Sequence, residues 1–227
     1  YMRFVSRLVG YAFRIKGCFL GDSITAGAGT SAPDKTFCGV IERKYGAVCR
    51  NYGIGGTRIA RQQHKTDICY DSEDFCSRFC KMEQDADVVV VFGGTNDFGH
   101  GDAPLGTMAD RTPDTFYGAL HTLYSGLTEK YPRSAIAIVT PLHRVGEDNP
   151  RGDGSKPEDG ALLKTYVEII REVAEYYSLP VLDLYKESGL QPNVPIIRKM
   201  YIPDGLHPND EGHIILADKI ARFIERL

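Results

Sequence analysis

The chain has 227 residues, 42% hydrophobic and 25% charged, with a formal net charge of −3 and a sequence pI near 6.1. That balance fits a single globular α/β domain over 1–227 with a substantial core, and it gives no electrostatic footprint for nucleic acid. No apolar run approaches the roughly 20 residues of a membrane span, so stable membrane insertion is not expected. Residues 1–14 read as an extension that precedes the core or packs on it. Arginines interrupt its apolar residues and no small-residue cleavage site follows, so no signal peptide is read there and a cytoplasmic location is expected. Tyr1 ahead of Met2 leaves room for an upstream signal.

Strand-like and helix-like segments then alternate. The strands are IKGCFL (15–20), AVCRNY (47–52), DVVVVFGG (87–94), AIAIVTPL (135–142) and LPVLDL (179–184). The run VVVVF has no polar alternation, which predicts burial on both faces of a parallel sheet. Helices are expected at 36–45, 72–82, 113–130, 161–177 and 210–227, the last with Asp210 as N-cap and His213 in its first turn. This order predicts a doubly wound, three-layer α/β/α sandwich with a five-stranded parallel sheet. The polar stretch 143–160 reads as a surface loop, and its Arg151-Gly152-Asp153 triplet as a coincidence. Six cysteines (18, 38, 49, 69, 76 and 80) lack the spacing of a zinc site and read as structural or free thiols.

Ligands of open α/β sheets bind beyond the carboxyl ends of the strands. There the sequence places GDSIT, NYGIGGT, GGTND, TPLHR and DGLHP, which bring Ser23, Gly56, Asn96, His143, Asp204 and His207 toward one rim. A serine hydroxyl becomes a useful nucleophile only with a base in reach, an orienting partner for that base, and donors for the developing oxyanion. His207 can be the base and Asp204 its partner, while the Ser23 amide, the Gly56 amide and the Asn96 side chain can be the donors. Asp22 is expected to brace the Ser23 turn, Gly53 and Gly55 to serve turns, and Asp97 to anchor the Asn96 loop. His100 and His143 lie on rim loops and are read as lining the substrate pocket. His64, His121 and His213 are read as bystanders.

In their order, GDSIT, NYGIGG, GGTND and DGLHP resemble the four motif blocks of the SGNH/GDSL hydrolases, and they run from residue 21 to 208. The resemblance implies a flavodoxin-like fold and a serine esterase with the triad Ser23, Asp204, His207 and the oxyanion hole Ser23, Gly56, Asn96. It implies no metal and no organic cofactor. Ile24 stands where the family usually has leucine. The expected substrate is a small-molecule ester, with the polar rim loops favouring a small acyl group on a polar or sugar-like alcohol. Lysophospholipase, lipase or thioesterase activity is the alternative within the family. A nucleotide-binding module (GAGTSA, 27–32) and an inactive carbohydrate-binding relative are the alternatives outside it.

Overall fold

The computed structural model describes residues 15–64, 72–157 and 160–227. The extension 1–14 and Cys69 lie outside those residues. Five strands, β1 (Lys16–Gly21), β2 (Val48–Gly53), β3 (Val88–Phe92), β4 (Ala135–Val139) and β5 (Val181–Leu182), form one parallel sheet in the order β2-β1-β3-β4-β5. The order reverses between β1 and β3, which opens a crevice at their carboxyl ends.

Successive residues of a strand face opposite sides of a sheet, and both sides are apolar here. Cys18, Leu20, Val89, Val91, Ile136 and Ile138 face one helical layer. That layer comes from α3 (Phe75–Arg78), α5 (Phe116–Lys130) and α6 (Leu163–Tyr176), which contribute Phe75, Phe116, Leu120, Leu123, Tyr166 and Ile170. Phe19, Val88, Val90, Phe92, Ala137 and Val139 face the other layer. There α2 (Phe37–Tyr45) and α9 (Asp210–Ile224) supply Phe37, Val40, Ile41, Leu216, Ala217 and Ile220. All five residues of β3 are buried, as its unbroken apolar run requires. Short helices follow three strand ends, α1 (Ser23–Ala26) after β1, α4 (Thr95–Gly99) after β3 and α7 (Leu184–Glu187) after β5, and α8 (Pro195–Tyr201) then leads toward α9.

Three local details differ from the sequence reading. The segment 72–82 is α3 followed by a separate 3₁₀ turn, Phe79–Lys81. Helix α5 begins at Phe116 rather than near Pro113, because the Thr115 side chain accepts the Gly118 amide there. Helix α9 is capped by Asn209, not Asp210. The Asp210 carboxylate instead receives the amide and hydroxyl of Ser31, at 2.8 and 2.6 Å.

The described part of the polar loop, residues 143–157, is tied to the rest of the fold. Arg144 pairs with Asp153, the Asp153 amide donates to Gly99 O at 2.7 Å, and Lys156 donates to the Asp97 carbonyl. Asp153, and with it the Arg-Gly-Asp triplet, is thereby built into the fold. The five cysteines within the described residues are free thiols.

His213 is fully buried in α9 and joins that helix to α2. Its Nδ1 accepts the Phe37 amide at 3.0 Å, and its ring stacks on Phe37 with centroids 5.9 Å apart. Burial, only partly offset by the Ala28 carbonyl, pushes its pKa down to about 4. The folded protein therefore holds His213 neutral, while the unfolded chain takes up a proton near the ordinary histidine value of about 6.5. The contribution is complete above that value and is lost as pH falls from it toward 4. Asp22, raised to about 6 by burial, runs the opposite way over much of this window, so the effect is read against a variant. In urea unfolding, wild type should lose about 3 kcal/mol relative to His213→Asn between pH 7 and pH 4. A stability gap that stays constant with pH would contradict this assignment.

Candidate active site

The chain leaves β1 at Gly21 and turns at once into α1, whose first residue is Ser23. Asp22 is the N-cap, with Oδ1 accepting the Ile24 amide at 3.0 Å. A first-turn amide has no intrahelical acceptor, so the Ser23 N–H stays available to an anion. The Asp22 carboxyl is 2% exposed and burial raises its pKa to about 6. It braces the Ser23 turn.

Ser23 Oγ lies 3.0 Å from His207 Nε2, and His207 Nδ1 lies 2.7 Å from Asp204 Oδ2. Asp204 and His207 share one tight turn between α8 and α9. Asp204 Oδ1 accepts the amides of Leu206 and His207 at 2.8 and 2.7 Å, which fixes the carboxylate before it meets the ring. Partial burial pushes the Asp204 carboxyl up, but those two amides and the His207 ring hold it below the usual carboxylate range. Gly205 makes the turn possible, since its φ of +85° is a conformation that disfavours side chains.

The second donor segment follows β2. Gly53 lies against α1 so closely that a Cβ there would fall 2.2 Å from the Ala26 amide nitrogen. Its need for glycine is close approach, not a turn dihedral. Gly55 lies beside Ser23, with a Cβ at 55 falling 3.8 Å from the Ser23 Cβ. Gly56, at φ +75°, turns the chain there. The third segment follows β3, where Asn96 is the second residue of α4 and 4% exposed. Its Nδ2 donates to Thr57 O at 3.0 Å, which ties it to the Gly56 loop and leaves one hydrogen of its NH₂ for a further acceptor. Asp97 completes the tie by accepting the Ile59 amide at 2.9 Å and the Ala60 amide at 2.9 Å. Burial raises the Asp97 pKa and these amides oppose the rise.

The two rim histidines separate. His100 Nε2 lies 3.3 Å from the Gly56 carbonyl and its Nδ1 lies 3.4 Å from Asp153 Oδ2, which places it beside the donor loop. His143 turns toward Glu147 at 2.9 Å and stacks on Tyr185 with centroids 3.9 Å apart, so it joins a different polar group. The segment 27–32 starts at the left-handed C-cap of α1, one helix beyond the strand end, and so is not placed as a dinucleotide loop would be. Three buried cations escaped the sequence reading. Arg58 and Arg78 reach the donor loop, and Arg144 reaches the Thr95 carbonyl at 3.3 Å.

The sequence profile of the GDSL-like lipase/acylhydrolase family matches residues 19–215. A solved structure from Lactobacillus plantarum is 28% identical, with TM-score 0.80, covering 95% of this chain and 99% of that one. A structure described as a possible lipase from Chitinophaga pinensis is 21% identical, with TM-score 0.67, covering 94% and 98%. A two-domain esterase active on acetylated mannans shares the fold at 21% identity and TM-score 0.58, this chain matching 49% of it. No curated protein matches the chain. With the profile spanning all four motif segments and the parallel sheet setting them on one rim, the chain belongs to the GDSL-like lipase/acylhydrolase family of esterase- and lipase-type hydrolases.

Proposed function

We propose that the protein is a serine esterase that works through an acyl-enzyme on Ser23. The observation that carries this is the unbroken hydrogen-bonded series Ser23 Oγ, His207 Nε2, His207 Nδ1, Asp204 Oδ2, at 3.0 and 2.7 Å. His207 takes the Ser23 proton as Oγ attacks the ester carbonyl, and Asp204 stabilises the imidazolium that results. The Ser23 amide, the Gly56 amide and the Asn96 side chain receive the oxyanion. His207 then protonates the leaving alcohol as the tetrahedral intermediate collapses to the acyl-enzyme. Water, deprotonated by the same histidine, releases the acid and restores Ser23.

The substrate favoured by the polar rim is a small acyl group on a polar or sugar-like alcohol. His100, beside the Gly56 carbonyl, and its partner Asp153 give that side of the rim a polar face. A substrate of this kind is in keeping with the two-domain esterase active on acetylated mannans, about half of which shares this fold. One observation favours a second reading, a lipid-directed acylhydrolase. Val194, Ile196 and Met200 are 44%, 57% and 46% exposed on and before α8, the helix that leads into the Asp204 turn. Hydrolysis of p-nitrophenyl esters from acetate to palmitate separates the two. The small-acyl reading predicts kcat/KM at least about tenfold higher for acetate than for octanoate, the discrimination available from a few methylenes. A maximum at long chains would replace it with the lipid reading.

A further inference from the structure

We infer that Arg78 is a positioning residue for the oxyanion hole, a buried cation that fixes the Ser23 turn and the Gly56 loop against each other and offsets the negative charge beneath them. The inference rests on the esterase reading of Ser23. Arg78 closes α3 and is 5% exposed. Its Nη2 donates both to Gly21 O at 2.6 Å and to Thr57 Oγ1 at 3.0 Å. Gly21 is two residues before Ser23, and Thr57 directly follows Gly56. One nitrogen thus bridges the segments that carry two of the three donors. Nη1 reaches the Tyr52 carbonyl at the end of β2, and Nε donates to Glu73 O at 2.9 Å. The guanidinium lies over the Phe75 ring, with Cζ 4.7 Å from its centroid.

Every acceptor that Arg78 reaches among the described residues is a carbonyl or a hydroxyl. Burying a guanidinium without a directly bonded carboxylate is costly and calls for a compensating role. The surroundings supply one. Asp22, 2% exposed, sits next in sequence to Ser23. It positions the Ser23 turn by accepting the Ile24 amide, and its charge would oppose an oxyanion forming at that turn. Arg78 is electrostatically linked to Asp22, which draws the carboxyl toward ionisation and favours the guanidinium cation. Burial lowers the Arg78 pKa only to about 10, so it remains a cation at neutral pH. A fixed charge in a preorganised, water-poor site acts more strongly on a developing anion than the same charge in water.

The test compares wild type with Arg78→Lys, Arg78→Gln and Thr57→Val on p-nitrophenyl acetate, each assayed well below its own melting midpoint. Arg78→Gln should lower kcat by about 10- to 100-fold with KM within about threefold, the pattern of a lost transition-state interaction. Arg78→Lys, which keeps the charge, should recover about tenfold of that loss. Inhibition by an aryl trifluoromethyl ketone, whose adduct with serine carries an oxyanion, should weaken in parallel with kcat. Thr57→Val, nearly isosteric, should lower kcat several-fold, and it carries the test should the Arg78 variants not fold. A folded Arg78→Gln with kcat within about threefold of wild type would overturn the inference. So would equal activities of the Lys and Gln variants, a change in KM alone, or an unaffected Thr57→Val where only that variant folds. Ester hydrolysis that survives Ser23→Ala would instead overturn the esterase reading beneath it.

Discussion

Ser23→Ala should lower ester turnover by about 10⁴- to 10⁶-fold, the range seen when the nucleophile of a serine triad is removed. The expectation follows from the geometry of one hydroxyl. Ser23 Oγ is 3.0 Å from His207 Nε2, the ring is held at its other nitrogen by Asp204, and the Asp204 carboxylate is fixed by two amides. Without Oγ no acyl-enzyme can form, and the residual rate is what oriented water achieves in the same site. The substitution should leave the fold intact. Asp22, not Ser23, caps α1, so removing the hydroxyl strands no buried donor. A melting midpoint within a few degrees of wild type is expected, as for a change outside the core. Comparing kcat of the two proteins on p-nitrophenyl acetate checks the claim, and a loss of less than about tenfold would remove Ser23 from the mechanism.

Asn96→Ala should cost about 2.7–4 kcal/mol of transition-state stabilisation, seen as a drop of about 10²- to 10³-fold in kcat with little change in KM. Asn96 is buried at the start of α4, with one Nδ2 hydrogen given to Thr57 O at 3.0 Å and one left for a further acceptor. The bond to Thr57 also braces the Gly56 loop, so some stability is lost too, about 1 kcal/mol for a hydrogen bond of this kind. Asn96→Asp separates the roles. A carboxylate cannot donate and adds negative charge where the oxyanion forms, so it should be at least as damaging as alanine. Steady-state kinetics on the two variants, beside their melting midpoints, decides between donor and brace. A stability loss with kcat unchanged would make Asn96 a brace alone.

Much of this architecture was legible in one dimension. VVVVF cannot be a half-exposed strand, and the alternation of apolar runs with helical periodicities fixes a parallel sheet with two covered faces. Three of the four glycine-rich and polar blocks follow strand ends and the fourth precedes the last helix, and the fold brings Ser23, His207 and Asp204 of these blocks within hydrogen-bond reach of one another. Side-chain direction was not legible. His100 and His143 occupy similar loop positions in sequence. One faces the Gly56 carbonyl, whereas the other pairs with Glu147 four residues further along the loop, and no periodicity distinguishes them. Asn209 and Asp210 are adjacent, both able to cap, and only the partnership of Asp210 with Ser31 decides which one does. Arg78 was hidden for a deeper reason. Its acceptors at residues 21, 52, 57 and 73 are scattered along the chain and meet only when β1, β2 and α3 are folded together.

The central claim is that Ser23 is an activated nucleophile. Treating the protein with a fluorophosphonate, measuring its intact mass and mapping the adduct tests that without any assumption about the substrate. One adduct on Ser23, absent from Ser23→Ala and slowed in His207→Ala, is the predicted result. A folded, ester-cleaving protein that stays unlabelled, or is labelled elsewhere, would contradict it.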